Sequence, residues 1–161
     1  MKIEQITQNK KTHLDLLLLG DESEAMVDRY LERGDMYILT VDDAVVGVCV
    51  LTDEGDDVLE IKNIAITPAL QRNGYGKKLI KFIKERYATA NKQIIVGTGE
   101  TPSTLNFYKQ CEFTPSHRIE NFFTDNYDHP IIEEGITLKD MVYFELRKQN
   151  RYEHINHRSN R

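Results

Sequence analysis

The residues with the clearest chemical potential are residues 71–76, which read Gln-Arg-Asn-Gly-Tyr-Gly. They follow a strand-like run that ends at Pro68 and precede an amphipathic helical segment, so they predict a turn at a helix N-terminus. Backbone N–H groups converge at such a turn, where a phosphate group binds. Gly74 and Gly76 leave the backbone open to close approach, and Arg72 and Lys77 add positive charge. A turn with two glycines is also compatible with a simple bend.

The familiar nucleotide-binding patterns do not match this turn. A Walker motif needs four residues between its glycines and a Lys-Ser/Thr pair after the second. A dinucleotide fingerprint needs a third glycine and a parallel βαβ unit, whereas short connections predict an antiparallel meander before the turn. The predicted ligand therefore carries a pyrophosphate but need not be a nucleoside triphosphate or NAD.

The elements that position the turn are predicted in the order β-α-α-β-β-β-α-β-α-β-β. Apolar alternation predicts strands at residues 2–6, 36–41, 45–51, 58–67 and 93–96, the last ended by Gly97 and Gly99, and two more around 113–123 and 136–146. Helical spacing predicts helices after Leu14, after an N-cap at Asp21 or Ser23, after Gly74, and over residues 104–110. The prediction is an α+β fold with a mixed, mainly antiparallel sheet of about seven strands, a single domain at 1–147 and a polar tail at 148–161.

The composition of the chain argues against several classes of function. The chain has 161 residues and a net charge of −5, which argues against a general affinity for nucleic acid, although the basic tail leaves a local interaction open. No apolar run approaches the roughly 20 residues of a membrane span, and no signal peptide is expected. Cys49 and Cys111 lack metal-ligand spacing and are interpreted as reduced thiols of a cytoplasmic protein, with a nucleophilic cysteine as the alternative. The histidines are scattered, so no metal is expected.

With these motifs in place, the chain resembles the GNAT-family N-acetyltransferases, as a small, single-domain, bacterial-type member. Residues 71–76 match that family's Gln/Arg-x-x-Gly-x-Gly/Ala motif in full, and the element order matches over residues 1–147. Asn106-Phe107-Tyr108, followed by Cys111-Glu112-Phe113, resembles the family's second motif. The resemblance implies the GNAT fold, with helices on both faces and a splay between strands 4 and 5, near Ile66 and Gly97.

The resemblance also implies acetyl-CoA as co-substrate. The backbone of residues 72–77 would hold the pyrophosphate, with Gln71 at its edge, and the end of the preceding strand would pair with the pantetheine arm. The implied cofactor-binding residues are Ile64, Ala65, Ile66, Gln71, Arg72, Asn73, Gly74, Tyr75, Gly76 and Lys77. The amide of Ile66 would also stabilise the oxyanion.

Two positions depart from the family pattern. No Asn falls in residues 100–104, where a cofactor-contacting Asn is usual, and Thr101 or Ser103 would have to replace it. Glu112 stands where a glycine is usual before Phe113, and we expect a turn of different shape there, because a left-handed non-glycine residue costs on the order of 1 kcal/mol.

The implied reaction moves acetyl to a primary amine, of a small molecule or a peptide or lysine, by direct attack through a tetrahedral intermediate. It needs a base, and Glu60 is the leading candidate, since alternation places it on the face shared by Lys62, Ile64 and Ile66. The alternative is an exposed strand residue beside Lys62. Weaker candidates are Asp53, Glu100 and His129.

Tyr108 is the general acid that the resemblance implies for the departing thiolate, and a core aromatic residue is the alternative. Residues 121–134 combine aromatic, imidazole and acidic side chains, which fit either an acceptor pocket or a hairpin packed on the sheet or on a second subunit of a homodimer. Because of the two departures, a non-catalytic acyl-CoA-binding or regulatory module is the alternative function.

Overall fold

Nine strands and five α-helices lie in the residues that the computed structural model describes, 1–87 and 92–146. The strands are β1 Lys2–Ile6, β2 Asp35–Val41, β3 Ala44–Asp53, β4 Val58–Ile66, β5 Gln93–Gly99, β6 Thr114–Ile119, β7 Ile132–Glu133, β8 Ile136–Thr137 and β9 Met141–Leu146. The helices are α1 Leu14–Gly20, α2 Glu24–Asp28, α3 Tyr75–Tyr87, α4 Pro102–Gln110 and α5 Phe122–Asn126. No helix in this described part has the length and apolar character to cross a membrane. The predicted tail, residues 148–161, lies outside the described residues.

One seven-stranded sheet organises the molecule, in the order β1-β2-β3-β4-β5-β9-β6. Every pair of adjacent strands in this sheet is antiparallel except β4 and β5, which are parallel. Strands β7 and β8 form a separate hairpin. The predicted mixed, mainly antiparallel sheet of about seven strands is confirmed.

Helices cover both faces of the sheet, as expected, and strand alternation sorts the core between them. On β2, Met36 and Ile38 pack in the cluster that contains α1 and α2 side chains, while Tyr37 and Leu39 pack beneath α3. Ser23, one of the two predicted caps, begins α2, and its hydroxyl accepts a hydrogen bond from the Met26 N–H at 3.2 Å.

The parallel strands β4 and β5 separate partway along their length. They pair only from Val58 with Gln93 to Ile61 with Val96. Beyond that point β4 stays paired with β3 as far as Ile66, and β5 stays paired with β9 as far as Gly99. This is the predicted splay, and it leaves the far edge of β4 without a neighbouring strand on its β5 side.

A β-bulge at Lys62 overturns one prediction. Val50 pairs with Asn63 but Leu51 pairs with Ile61, so Lys62 is an extra residue in β4. Ile61 lies in the core beneath α3, and so does Ile66, five residues later. The prediction that Glu60 shares a face with Ile64 and Ile66 is therefore wrong: Glu60 faces the α1–α2 side, because a bulge breaks the simple alternation.

The glycines predicted to end β5 are instead part of the strand. A Cβ on Gly97 would lie 2.5 Å from the Met141 sulfur, and one on Gly99 would lie 2.6 Å from Leu138 Cδ1. Both positions pair with β9. Glycine is used here for close approach of neighbouring side chains and not as a strand terminator.

The C-terminal part was predicted as two long strands and is more divided. The first of them is shortened to β6 and is followed by α5, which Asn121 introduces with φ +59°. The second is split into β8 and β9. A hydrogen bond from the Asn121 N–H to the Asp140 carboxylate, 2.9 Å long, fixes this change of direction.

Candidate active site

The glycine turn between β4 and α3 is held by its own side chains. The Gln71 side-chain amide donates to the Ile66 carbonyl at 2.9 Å, and the Asn73 amide donates to the Leu70 carbonyl at 3.1 Å. Arg72 and Gly74 both have left-handed backbones, with φ of +66° and +83°. A Cβ on Gly74 would meet nothing within 4 Å, so the turn is open on that side.

The second glycine of the turn has a different task. A Cβ on Gly76 would lie 3.0 Å from Phe107 Cε1 on α4. The absence of a side chain at Gly76 thus lets the first turn of α3 approach α4 closely. This contact couples the turn to the helix that carries Tyr108.

Glu60 lies at the base of a cavity on the α1–α2 side of the sheet and is only 8% exposed. Its carboxylate is 3.1 Å from Lys62 Nζ and accepts a hydrogen bond from the Tyr143 hydroxyl at 3.2 Å. Burial, followed by the charge of Glu60, raises the pKa of Tyr143, so that the phenol stays protonated and can donate.

The cavity beside Glu60 has a volume of about 280 Å³ and lies where β4 and β5 separate. Aromatic rings and charged side chains of both signs form much of its wall. The carboxylates are Asp21, Glu60 and Glu133, and the aromatic side chains are Tyr30, Phe122, Phe123, Tyr127 and Tyr143. Aromatic surface with a few convergent polar groups is typical of a small-molecule site.

The segment at residues 121–134 forms one side of this cavity, which favours the first of its two interpretations. The Tyr127 hydroxyl donates to Asp21 at 2.8 Å and so ties the segment to the loop between α1 and α2. Behind it, Phe123, Ile131 and Leu138 form a small core of their own. Burial raises the pKa of Asp21 against this hydrogen bond, which lowers it.

Tyr108 lies on the opposite face of the sheet from Glu60. It is 5% exposed, and its ring stacks on Phe144 at 5.5 Å and meets Phe113 edge-on at 5.6 Å. In the described part of the chain its hydroxyl has no hydrogen-bond partner. Burial raises its pKa, with smaller contributions from Cys49 and Cys111. A buried phenol without a partner has its proton available for a ligand.

The two positions that depart from the family pattern are both at the ends of α4. Thr101 caps the helix and accepts a hydrogen bond from the Thr104 N–H at 3.4 Å. Hydrogen bonding from Ser103, and then from Thr101, lowers the pKa of the Glu134 carboxyl. At the other end Glu112 has φ +69°. The expected change of turn shape is therefore wrong: Glu112 adopts the left-handed conformation, and the Phe113 N–H reaches the Tyr108 carbonyl at 3.0 Å.

The weaker base candidates are engaged elsewhere. Asp53 lies 2.6 Å from Lys92, Glu100 lies 2.8 Å from Arg118, and His129 lies 2.6 Å from Asp128. All three are on exposed surface away from the cavity.

Several cavity residues were not singled out from the sequence as site residues, namely Arg29, Asp21 and Tyr143. Tyr143 carried a usable signal, because it alternates with Val142 and Phe144 and so faces away from the α3 core. The sequence pattern gave no indication that Arg29 and Asp21 line the cavity, since their positions depend on how α1 and α2 pack.

Comparison with known proteins agrees with this arrangement. The family model described as "Acetyltransferase (GNAT) domain" matches residues 32–115. The uncharacterized N-acetyltransferase YvbK of Bacillus subtilis (strain 168) is 37% identical over 144 residues, covering 88% of this chain and 93% of that protein.

Two solved structures extend the comparison to cofactor complexes. A GNAT family acetyltransferase from Elizabethkingia anophelis, with acetyl-CoA bound, has a TM-score of 0.86 and 32% identity over 91% of this chain and 97% of that one. A Bacillus subtilis acetyltransferase in complex with CoA has a TM-score of 0.84 and 36% identity, with the same coverage of both chains. On the family match, the curated relative and the shared fold, this chain belongs to the GNAT acetyltransferases.

Proposed function

We propose that this acetyltransferase moves acetyl from acetyl-CoA to a primary amine that enters the cavity beside Glu60. The separation of β4 from β5 carries the proposal. The cavity lies on the α1–α2 face beside this separation, and Tyr108 lies in the core on the α3 face. A thioester and an amine approaching from opposite faces would meet in that gap.

The described residues fit acetyl-CoA as co-substrate. The turn at residues 72–77, which is open at Gly74 and carries the exposed cations Arg72 and Lys77, suits a pyrophosphate. The free edge of β4 at Ile64, Ala65 and Ile66 suits the amide groups of the pantetheine arm. When bound, acetyl-CoA supplies the acetyl carbonyl and a thiolate leaving group.

Glu60 is proposed to remove the amine proton, directly or through one water molecule. An alkylamine with a pKa near 10.4 costs about 4.6 kcal/mol to deprotonate at pH 7, so a base in the cavity contributes substantially. Lys62 and Tyr143 hold the carboxylate in place, at 3.1 Å and 3.2 Å.

Tyr108 is proposed to donate a hydrogen bond to the departing sulfur. Its raised pKa makes complete proton transfer to a thiolate unfavourable, since a thiol titrates near 8.5. The same shift keeps the phenol protonated over the whole working pH range. Hydrogen bonding to the developing charge is therefore its stronger contribution.

The proposed acceptor is a primary amine of a small molecule, of a peptide N-terminus or of a lysine side chain. The two free thiols, Cys49 and Cys111, support the proposed cytoplasmic location. A homodimer stays a prediction.

The test is release of CoA thiol across a panel of primary amines, together with calorimetric binding of acetyl-CoA. Glu60→Gln should lower kcat at least a hundredfold with acetyl-CoA affinity within threefold of the wild type. Glu100→Gln, an exposed carboxylate outside the cavity, serves as the matched control and should retain wild-type turnover. Measured acetyl-CoA binding without turnover of any amine would refute the proposal and favour a non-catalytic acyl-CoA-binding module.

A further inference from the structure

The cavity beside Glu60 has three cationic side chains in its wall, and two of them are already paired. Arg33 binds Glu54 at 2.9 Å, and Lys62 lies 3.1 Å from Glu60 and 3.5 Å from Glu54. Arg29 makes no ion pair or side-chain hydrogen bond within the described residues. An exposed guanidinium with its donors free is thus part of the cavity wall.

The packing around Arg29 explains why it faces the cavity. It is the residue after α2, and its neighbours Val27, Tyr30 and Leu31 are buried in the core on the α1–α2 side. These buried residues fix the orientation of the segment and leave Arg29 at its exposed edge.

The charge of Arg29 acts on the carboxylate of Asp21, but other groups supply the hydrogen bonds of that carboxylate. Its carboxylate accepts hydrogen bonds from the Tyr127 hydroxyl at 2.8 Å, the Tyr30 hydroxyl at 3.3 Å and the Ser23 N–H at 3.3 Å. Burial shifts the pKa of Asp21 more than Arg29 does. The guanidinium therefore stays available for a group that enters from solution.

We propose that the acceptor carries a carboxylate as well as the reacting amine, and that Arg29 binds this carboxylate. Arginine presents paired N–H donors that match the two oxygens of a carboxylate. The aromatic side chains that line the same cavity as Arg29 and Glu60 suit an apolar or aromatic body, so the inferred class is an amino acid or a similar aminocarboxylate. This inference rests on the proposed function and specifies its acceptor.

The test compares amines that differ only in the carboxylate. The matched pairs are phenylalanine with phenethylamine, tyrosine with tyramine, lysine with cadaverine, and 4-(aminomethyl)benzoate with benzylamine. In the wild type at least one carboxylate member should exceed its partner tenfold or more in kcat/KM. Arg29→Gln should reduce that ratio at least tenfold, as expected for loss of a charged hydrogen-bonded pair, and Arg29→Lys should fall between. Arg86→Gln, an exposed arginine on α3 that does not line the cavity, is the control and should keep the ratio.

Binding of the acetylated products gives a second readout that does not depend on turnover. N-acetylphenylalanine should compete with the acceptor more strongly than N-acetylphenethylamine in the wild type, and this difference should disappear in Arg29→Gln.

Three results would overturn the inference. The first is a kcat/KM for the decarboxylated amine that equals or exceeds that of its carboxylate partner in every pair. A preference for cadaverine over lysine would belong to this result, and would indicate that Glu133 binds a second ammonium group. A ratio that survives Arg29→Gln is another. In both cases acetyl transfer itself stands, whereas failure of every amine in the panel would refute the proposed function together with the inference.

Discussion

Replacing Gly74 with alanine separates the proposed cofactor role of the glycine turn from its structural role. Gly74 has φ +83°, and an added Cβ would have open space around it. A left-handed alanine costs about 1–2 kcal/mol, of which about 0.4–1 kcal/mol is returned through the reduced entropy of the unfolded chain. The free energy of unfolding should therefore fall by about 1 kcal/mol, or about 2–4 °C in Tm for a domain of this size.

Gly55 is a matched control for this substitution. Its φ is +80°, a Cβ there would also meet nothing within 4 Å, and it lies in the connection between β3 and β4. Gly55→Ala should cost the same stability. In the Gly74 variant alone the new methyl group stands where a pyrophosphate would approach the backbone. Losing one charged hydrogen bond there is worth about 1.5–3 kcal/mol, so acetyl-CoA affinity should weaken about tenfold to a hundredfold.

The assay is calorimetric titration at a temperature well below both melting transitions, with acetyl-CoA and with S-acetylpantetheine, which lacks the pyrophosphate. Gly74→Ala should weaken only acetyl-CoA, and Gly55→Ala should weaken neither ligand. Wild-type acetyl-CoA affinity in Gly74→Ala would refute the phosphate role of the turn, and so would equal losses for both ligands.

Three further predictions concern α4 and the core beneath it. Tyr108→Phe should lower kcat about tenfold or more. Because burial raises the pKa of Tyr108, the pH–rate profile of the wild type should show no fall in rate below pH 10 that is due to this phenol. A fall in rate below pH 10 that is absent from Tyr108→Phe would contradict this. Glu112 lies just after α4 with φ +69°, so Glu112→Gly should raise the free energy of unfolding by about 0.5–1 kcal/mol in denaturant titration. Lys109→Gly, inside α4, should lower it by a similar amount. A loss of stability in Glu112→Gly would contradict the prediction. Burial raises the Cys49 pKa to about 12, so the unfolded state loses this proton first and stability should fall between about pH 9 and 12, by about 1.4 kcal/mol per pH unit. Cys49→Ala should flatten that slope, and an unchanged slope would assign it to other groups.

The features that local pattern determines were predictable. Strand alternation placed β1 at residues 2–6 without error, and helical spacing with a glycine turn placed α3. The mixed sheet followed from the order of the elements, whereas the helices on both faces and the splay followed from the resemblance to a known family. All of these rest on residues close together in the sequence or on a motif.

The errors have a common physical origin in contacts between distant residues. Gly97 and Gly99 looked like strand ends, but Met141 and Leu138 on another part of the chain fill the space that their side chains would take. Arg29 reaches the cavity only because α2 packs against the sheet. Neither contact leaves a periodic signal in the sequence.

The bulge in β4 shows why one such contact matters for chemistry. Strict alternation that keeps Ile66 in the α3 core would place Glu60 in the same core, beside Leu79 and Ile83. Burying an unpaired carboxylate there would cost at least several kcal/mol. The extra residue, Lys62, lets Glu60 face the polar cavity and supplies the cation that pairs with it at 3.1 Å.

The bulge also begins directly after Ile61, the last β4 residue that pairs with β5. The alternation of side chains between the two faces of β4 is therefore shifted at the same point where β4 stops pairing with β5. The Glu60 carboxylate therefore comes just before the separation of β4 and β5, and the strand edge without a β5 partner comes just after it. Tyr108 lies in the core on the α3 face. One inserted residue thus lets a single strand contribute both to the proposed acceptor cavity and to the proposed cofactor-binding edge.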